Sequence, residues 1–239
     1  MNKKFTQLDD RYWAYSHPDL DTANRKFLER HKTAGVYEVG GLKLTCPAGV
    51  YQPHEFGSTR FALRGLFSQL PNFGSRILEL GTGSGAIGLC LAAEGFEVTL
   101  ADIDPAAVAC AKNNAQANQI NATVLQSNLF STVSGQQFDM IFFNIPLQDK
   151  PIEDAVEVIS CDQGGELFTR FMAEAKDYLT PNGQVCVSIG NIGNRVAILK
   201  ALADYDDTIL HAEYYAYSGA WRWLLSARPT NNLHELNSQ

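Results

Sequence analysis

Long apolar runs are missing from this chain. None approaches the ~20 residues needed to cross a bilayer, so no membrane partner is expected. No apolar stretch follows Met1-Asn2-Lys3-Lys4, so no secretory leader is read there and a cytoplasmic location is the expectation. Cysteine is sparse: Cys46, Cys90, Cys110, Cys161 and Cys186 form no C-x-x-C pair, which favours small core residues over metal or redox roles. His54, His211 and the other histidines show no ligand spacing, so no metal is expected. Ser188 lacks a G-x-S-x-G setting, which removes support for hydrolase chemistry. Positive charge is also short. The net charge is −7, and basic residues gather only at Arg25-Lys26 and Arg30-His31-Lys32 on one expected helix. A nucleic-acid enzyme ordinarily needs a basic stripe to neutralise phosphates, so nucleic acid is disfavoured as a partner.

What the chain does have is concentrated between Arg76 and Ala92. An apolar run, Ile77-Leu78-Glu79-Leu80, stops at Gly81-Thr82-Gly83-Ser84-Gly85, and a helical pattern begins at Ala86. Strand, glycine turn and helix together present backbone N–H groups and a helix N-terminus to a nucleotide-like ligand. The glycines permit positive φ and close approach of a ligand. Twenty-one residues after Gly81, a second apolar run ends in Asp102, placed to chelate two ribose hydroxyls. Gly83 to Gly88 also fits the G-x-G-x-x-G dinucleotide pattern. Two details pull away from that reading. Glu79 lies inside the first strand, where its charge would repel a pyrophosphate and attract an ammonium. A later run, Phe138 to Phe143, ends in Asn144-Ile145-Pro146-Leu147.

On these residues the chain resembles the class I S-adenosylmethionine (SAM) dependent methyltransferases, in particular the nitrogen-methylating branch with an Asn-Pro-Pro-aromatic motif, which acts on glutamine, adenine or rRNA guanine. The resemblance spans about residues 48–228. It rests on Val50-Tyr51-Gln52-Pro53-His54-Glu55, on Glu79 to Gly85, on Ala101-Asp102-Ile103-Asp104-Pro105 and on Ser127-Asn128-Leu129-Phe130. The chain departs from the branch at Asn128, where Asp is usual, and at Ile145 and Leu147, which replace the first proline and the aromatic.

The expected elements are a helix ending near Thr33 and a hairpin at 36–39 and 42–45. After them comes a helix at 58–70, and then strands at 76–80, 97–102, 122–126, 139–144 and 184–190 alternating with helices. One of those helices, at 164–179, is stopped by Pro181-Asn182-Gly183. Two last strands, 208–217 and 221–228, have no helix between them. The alternation predicts an α/β fold with a parallel sheet covered on both faces and an antiparallel C-terminal strand pair. The resemblance makes this a Rossmann-like, seven-stranded, mostly parallel sheet. Residues 1–57 read as an N-terminal helix and hairpin extension that packs on the core or forms a substrate lid through Tyr12, Trp13 and Tyr15. Residues 58–230 read as the SAM-binding catalytic domain and 231–239 as a polar tail.

The resemblance implies SAM as cofactor and a role for each matching residue. Glu79 would meet the methionine ammonium, or else cap nearby N–H groups. Gly81, Thr82, Gly83 and Gly85 would lie against the ligand. Asp102 would take the ribose, the alternative being a helix cap, for which Asp104 before Pro105 is better placed. Asn128 would accept from the adenine amino group or serve as a turn residue, and Ile103 and Leu129 would sandwich the ring. Asn144, with Pro146, would orient the acceptor nitrogen, or simply form a turn. Tyr51, Glu55, Phe56 and Thr59 would fold over the SAM tail, with Tyr51 or Phe56 a cation–π partner or a packing residue.

Leu147 cannot stack on a planar acceptor as an aromatic does. Together with the acidic net charge, this leads to the expectation of a small-molecule acceptor, methylated on nitrogen by in-line displacement. Two further readings stay open: a cyclase, lyase or aminocarboxypropyl transferase releasing methylthioadenosine, and a non-catalytic SAM-binding partner. No feature of the sequence sets an oligomeric state.

Overall fold

The computed structural model describes residues 3–14, 20–53, 57–146, 148–215 and 219–230, with the backbone alone for 20–24. Tyr15, His54, Glu55, Phe56, Leu147 and the tail 231–239 lie outside the described residues. The apolar and polar periodicities resolve into α1 (Leu20–His31), a hairpin of β1 (Gly35–Val39) and β2 (Leu42–Cys46), and α2 (Ser58–Phe67). There follow β3 (Arg76–Leu80), α3 (Ala86–Ala93), β4 (Glu97–Asp102), α4 (Pro105–Ala117), β5 (Thr123–Gln126) and β6 (Phe138–Phe143). The chain continues with α5 (Glu166–Ala175), β7 (Leu179–Gly190), α6 (Arg195–Ala201), β8 (Tyr205–Tyr215) and β9 (Ala220–Pro229).

One seven-stranded sheet runs in the order β5-β4-β3-β6-β7-β9-β8. Strands β3 to β7 are mutually parallel, and β9 is antiparallel to both β7 and β8. Order reverses between β3 and β6, the switch point at which open α/β sheets place ligands outside the carboxyl ends of their strands. Alternation along each strand sends Ile77, Met140, Phe142, Cys186 and Leu224 to one face, under α2 and α3. The same alternation sends Leu78, Phe143, Val187 and Trp223 to the other, under α5 and α6.

Several bounds depart from expectation: α2 ends at Phe67 rather than 70, β8 covers Tyr205–Tyr215 rather than 208–217, and β7 starts at Leu179 rather than 184. The 164–179 helix ends at Ala175, and a 3-10 turn covers Lys176–Tyr178. Strand pairing then starts at Leu179, ahead of Pro181-Asn182-Gly183, because Leu179 already pairs with Phe138. The turn residues are absorbed as a shift in register before Met140 pairs with Gln184, while Thr180 Oγ1 donates to Asp139 Oδ1 at 2.9 Å.

The N-terminal aromatics pack. Phe5 is fully buried, edge-on to Trp13 and Trp223, and Tyr12 meets Trp221 edge-on. Asp207 on β8, itself buried, accepts from the backbone N–H of Phe5 and from Thr6 Oγ1 at 2.6 Å, so the segment is held at both side chain and backbone. Phe5→Ala should therefore leave a cavity beside two tryptophans and cost about 3–5 kcal/mol. Urea unfolding followed by tryptophan fluorescence measures this, and a loss under about 1 kcal/mol would show that the segment does not belong to the cooperative core.

Candidate functional site

Glu79 points from β3 toward α3. Its Oε2 accepts from Thr82 Oγ1 at 2.7 Å and from the Gly88 N–H at 2.9 Å, so one carboxylate oxygen joins strand, turn and helix. A Cβ at Gly88 would collide with Leu100 and with the same oxygen, so close helix packing demands glycine there. Gly81 holds φ +59, and a Cβ on it would come within 2.5 Å of the Phe143 ring. On the neighbouring strand, Asp102 accepts from the Gly83 N–H at 2.8 Å through Oδ2 and from the Asp104 N–H at 3.0 Å through Oδ1. Asp104, as expected, caps α4 by accepting from Ala106 N–H.

Both carboxylates are pushed toward protonation. Burial raises Glu79 to about 8 against the pull of Thr82 and Gly88, with the charge of Asp102 adding to the rise. Burial likewise raises Asp102, opposed by the backbone N–H groups of Asp104, Gly83 and Ile103. Beyond Asp102, Ile103 keeps 58% of its surface exposed, an apolar wall at the strand end. Leu129 adopts φ +48 with its side chain in the core, and Asn128 is exposed with Oδ1 3.4 Å from Arg170.

The second half of the site centres on Asn144, one residue past β6. Its Nδ2 donates to Ser58 Oγ at 2.8 Å, and Ser58 Oγ lies 2.9 Å from the Tyr51 hydroxyl. Asn144 Oδ1 is buried and has no hydrogen-bond partner. Tyr51 reaches over the glycine turn, where a Cβ on Gly83 would sit 3.5 Å from its own Cβ. Above it, the rings of Phe27 and His31 on α1 stand 6.0 and 5.3 Å away. His31 is wholly buried, its Nδ1 2.7 Å from the Phe27 carbonyl, and burial lowers its pKa. Thr59 is buried on α2. Pro146 and Ile145 line a small pocket with Asp162, Gly190 and Asn194.

The structure thus brings Glu79, the glycine turn, Asp102, Ile103, Tyr51 and Asn144 to one end of the sheet. Sequence reasoning missed Ser58, the hydroxyl that fixes the Asn144 amide. Its only signal was its place as the first residue of the helix that follows Tyr51. All five cysteines are buried and free, as expected. Among the described residues no helix is long and apolar enough to cross a membrane, and no cluster of potential metal ligands occurs.

The Glu79 shift gives a signed prediction. Its folded pKa lies above its unfolded value, so its stabilising contribution is full below about 4.5 and is lost as pH rises through about 8. Urea midpoints should fall between about pH 5 and pH 9. Glu79→Gln stays neutral and still accepts from Gly88 N–H, so it should flatten the decline. An undiminished slope in the variant would place the titration elsewhere.

Known proteins match this chain in sequence and in fold. A family model described as the methyltransferase small domain matches residues 41–217. A release factor glutamine methyltransferase from Salmonella typhimurium is 37% identical over 161 residues, covering 62% of this chain and 58% of that protein. A ribosomal protein uL3 glutamine methyltransferase from Francisella tularensis is 33% identical over 148 residues, covering 56% and 46%. Among solved structures, a T. thermophilus 16S rRNA N2 G1207 methyltransferase bound to AdoMet and guanosine superposes with a TM-score of 0.62 at 21% identity. That match covers 82% of this chain and 50% of the other. The chain spans about half the length of these proteins.

The sequence relatives are named for glutamine in proteins, which overturns the expectation of a small-molecule acceptor. The charge argument failed because a net charge is a sum over the whole chain. Arg25, Lys26, Arg30 and Lys32 lie exposed along and just beyond α1, the helix whose Phe27 and His31 cover Tyr51, whatever the total. The chain belongs to the methyltransferase small domain family: it has the class I methyltransferase fold, and its cofactor is S-adenosylmethionine.

Proposed function

We propose that this chain transfers a methyl group from SAM to the side-chain amide nitrogen of a glutamine in a protein. The observation that carries the reading is the Asn144 amide. Ser58 engages its nitrogen, so its oxygen is held as a buried acceptor with no internal partner. Such an oxygen costs free energy unless an incoming N–H satisfies it. The glutamine methyltransferases among the relatives support the choice of acceptor.

The turn suits the ligand's parts. Asp102 would hold the ribose hydroxyls, Glu79 would face the ammonium, and Ile103 would cover one side of the adenine near Asn128 and Leu129. Tyr51, Thr59 and the start of α2 would close over the amino-acid tail. SAM supplies a methyl carbon on a sulfonium leaving group. Asn144 would accept one amide hydrogen and so orient the acceptor nitrogen. The methyl carbon would pass to that nitrogen as its bond to sulfur breaks, one proton leaving the nitrogen for solvent. Alignment and exclusion of water contribute most of the acceleration in such a displacement.

The test incubates the protein with radiolabelled SAM and an unmethylated bacterial release factor, followed by mass spectrometry of its peptides. One added methyl on a glutamine is expected. Asp102→Ala should abolish SAM binding. Asn144→Ala should bind SAM as tightly as the wild type while turnover falls by about a hundredfold or more. Full activity in Asn144→Ala would remove the residue from the reaction.

A further inference from the structure

Ser188 lies on β7, the strand beside β6. It is 1% exposed, and its hydroxyl has no hydrogen-bond partner. Among the described residues no other buried serine hydroxyl is left so. Ser58, Ser127, Ser160 and Ser226 all have partners. An unmade hydrogen bond at such a position is a standing cost, and natural structures rarely keep one without a use.

Its place follows from the ladder. Phe142 pairs with Cys186 and Phe143 with Val187. One step further along, Asn144 comes beside Ser188. Phe142 and Cys186 both belong to the cluster under α2 and α3, so two residues on, Asn144 and Ser188 face that same side. Two buried, unpartnered groups therefore stand side by side on one face, beneath the α2 start that supplies Ser58. One is an acceptor only, because Ser58 has already engaged the Asn144 nitrogen. The other can donate.

We propose that Ser188 is a specificity-determining residue whose hydroxyl donates to the carbonyl oxygen of a carboxamide acceptor while Asn144 accepts from its nitrogen. The inference rests on the glutamine reading above. A primary amide carries an N–H donor and a C=O acceptor on adjacent atoms, and burying it requires partners for both. An amine would need Asn144 alone. The Asn144–Ser188 pair matches the amide, and a site built to satisfy a particular group rejects analogues that lack it.

The experiment compares Ser188→Ala with the wild type in three measurements: thermal midpoint, SAM affinity by calorimetry, and kcat/KM for methylation of an unmethylated bacterial release factor. The alanine variant removes no internal hydrogen bond, so its midpoint should be unchanged or raised and its SAM affinity unchanged. Its kcat/KM should fall by about ten- to a hundredfold. A fall of fivefold or more with an undiminished midpoint supports the proposal. A smaller fall, or one accompanied by a lowered midpoint or weaker SAM binding, overturns it and gives Ser188 a purely structural role. If the wild type binds SAM but leaves the release factor unmethylated, the glutamine reading fails and takes this inference with it, an outcome distinct from an active wild type matched by an equally active Ser188→Ala.

Discussion

One buried carboxylate sets the geometry on which the ligand-binding end depends. Glu79 Oε2 receives the Thr82 hydroxyl and the Gly88 N–H at once, so the end of β3, the glycine turn and the first turn of α3 are fixed to a single atom. Asp102 does the same from β4 by taking the Gly83 N–H. The turn is clamped from two parallel strands whose register, Glu79 opposite Leu100, sets Asp102 two residues further toward the carboxyl ends than Glu79. Burial pushes both acids toward their neutral forms. A site with two such carboxylates gains most from a ligand that brings positive charge and hydroxyl donors, because each relieves the desolvation that folding imposed.

A second chain of contacts ties the N-terminal segment to the reacting end. Phe27 and His31 on α1 lie against Tyr51, Tyr51 reaches Ser58, and Ser58 holds Asn144. Lys32, just after α1, approaches Asp154 at 3.7 Å, and Lys150 bonds Glu157 at 2.6 Å in the segment that follows the Asn144 motif. The parts of the chain before and after the glycine turn thus meet over the same sheet end. An Asn amide is symmetric in shape, and only its neighbours decide which end faces the substrate. Here the amide nitrogen is turned to Ser58 Oγ, on a helix that lies well before the glycine turn in sequence, and the oxygen is left without an internal partner.

Most of the fold was legible in the sequence because its signals are local. The hairpin announced itself by Gly40-Gly41 between alternating runs, and β3 and β4 kept the bounds their patterns gave. Where Pro181-Asn182-Gly183 was read as the boundary, a long-range pairing of Leu179 with Phe138 overrode the local turn signal. The site divides on the same line. Glu79 and Asp102 were legible because each sits at a fixed step from the glycine turn. Ser58 and Ser188 were not, because their meaning comes from strand parity and from contact with Asn144 across long stretches of chain. The expected small-molecule acceptor came from a global charge and from one side chain at position 147, and neither reports how the sheet end is shaped.

The altered Asn-Ile-Pro motif invited readings in which SAM reacts other than by giving up its methyl group. The structure locates that alteration. Asn144 continues the face of Phe142, under α2, whereas Ile145 continues the face of Phe143 and is buried with Val187 and Phe168 in the core beneath α5 and α6. Successive residues leaving a strand point to opposite sides, so the side chain that replaced the motif's first proline turns away from the Asn144 amide. Its consequence lies in packing on the far face. The groups on that face are an amide oxygen with no internal partner, on an amide whose nitrogen donates to Ser58, and an unpartnered hydroxyl on the adjoining strand. The departure at position 145 therefore counts little against methyl transfer, and the chemistry is to be read from the face that Asn144 shares with Ser188.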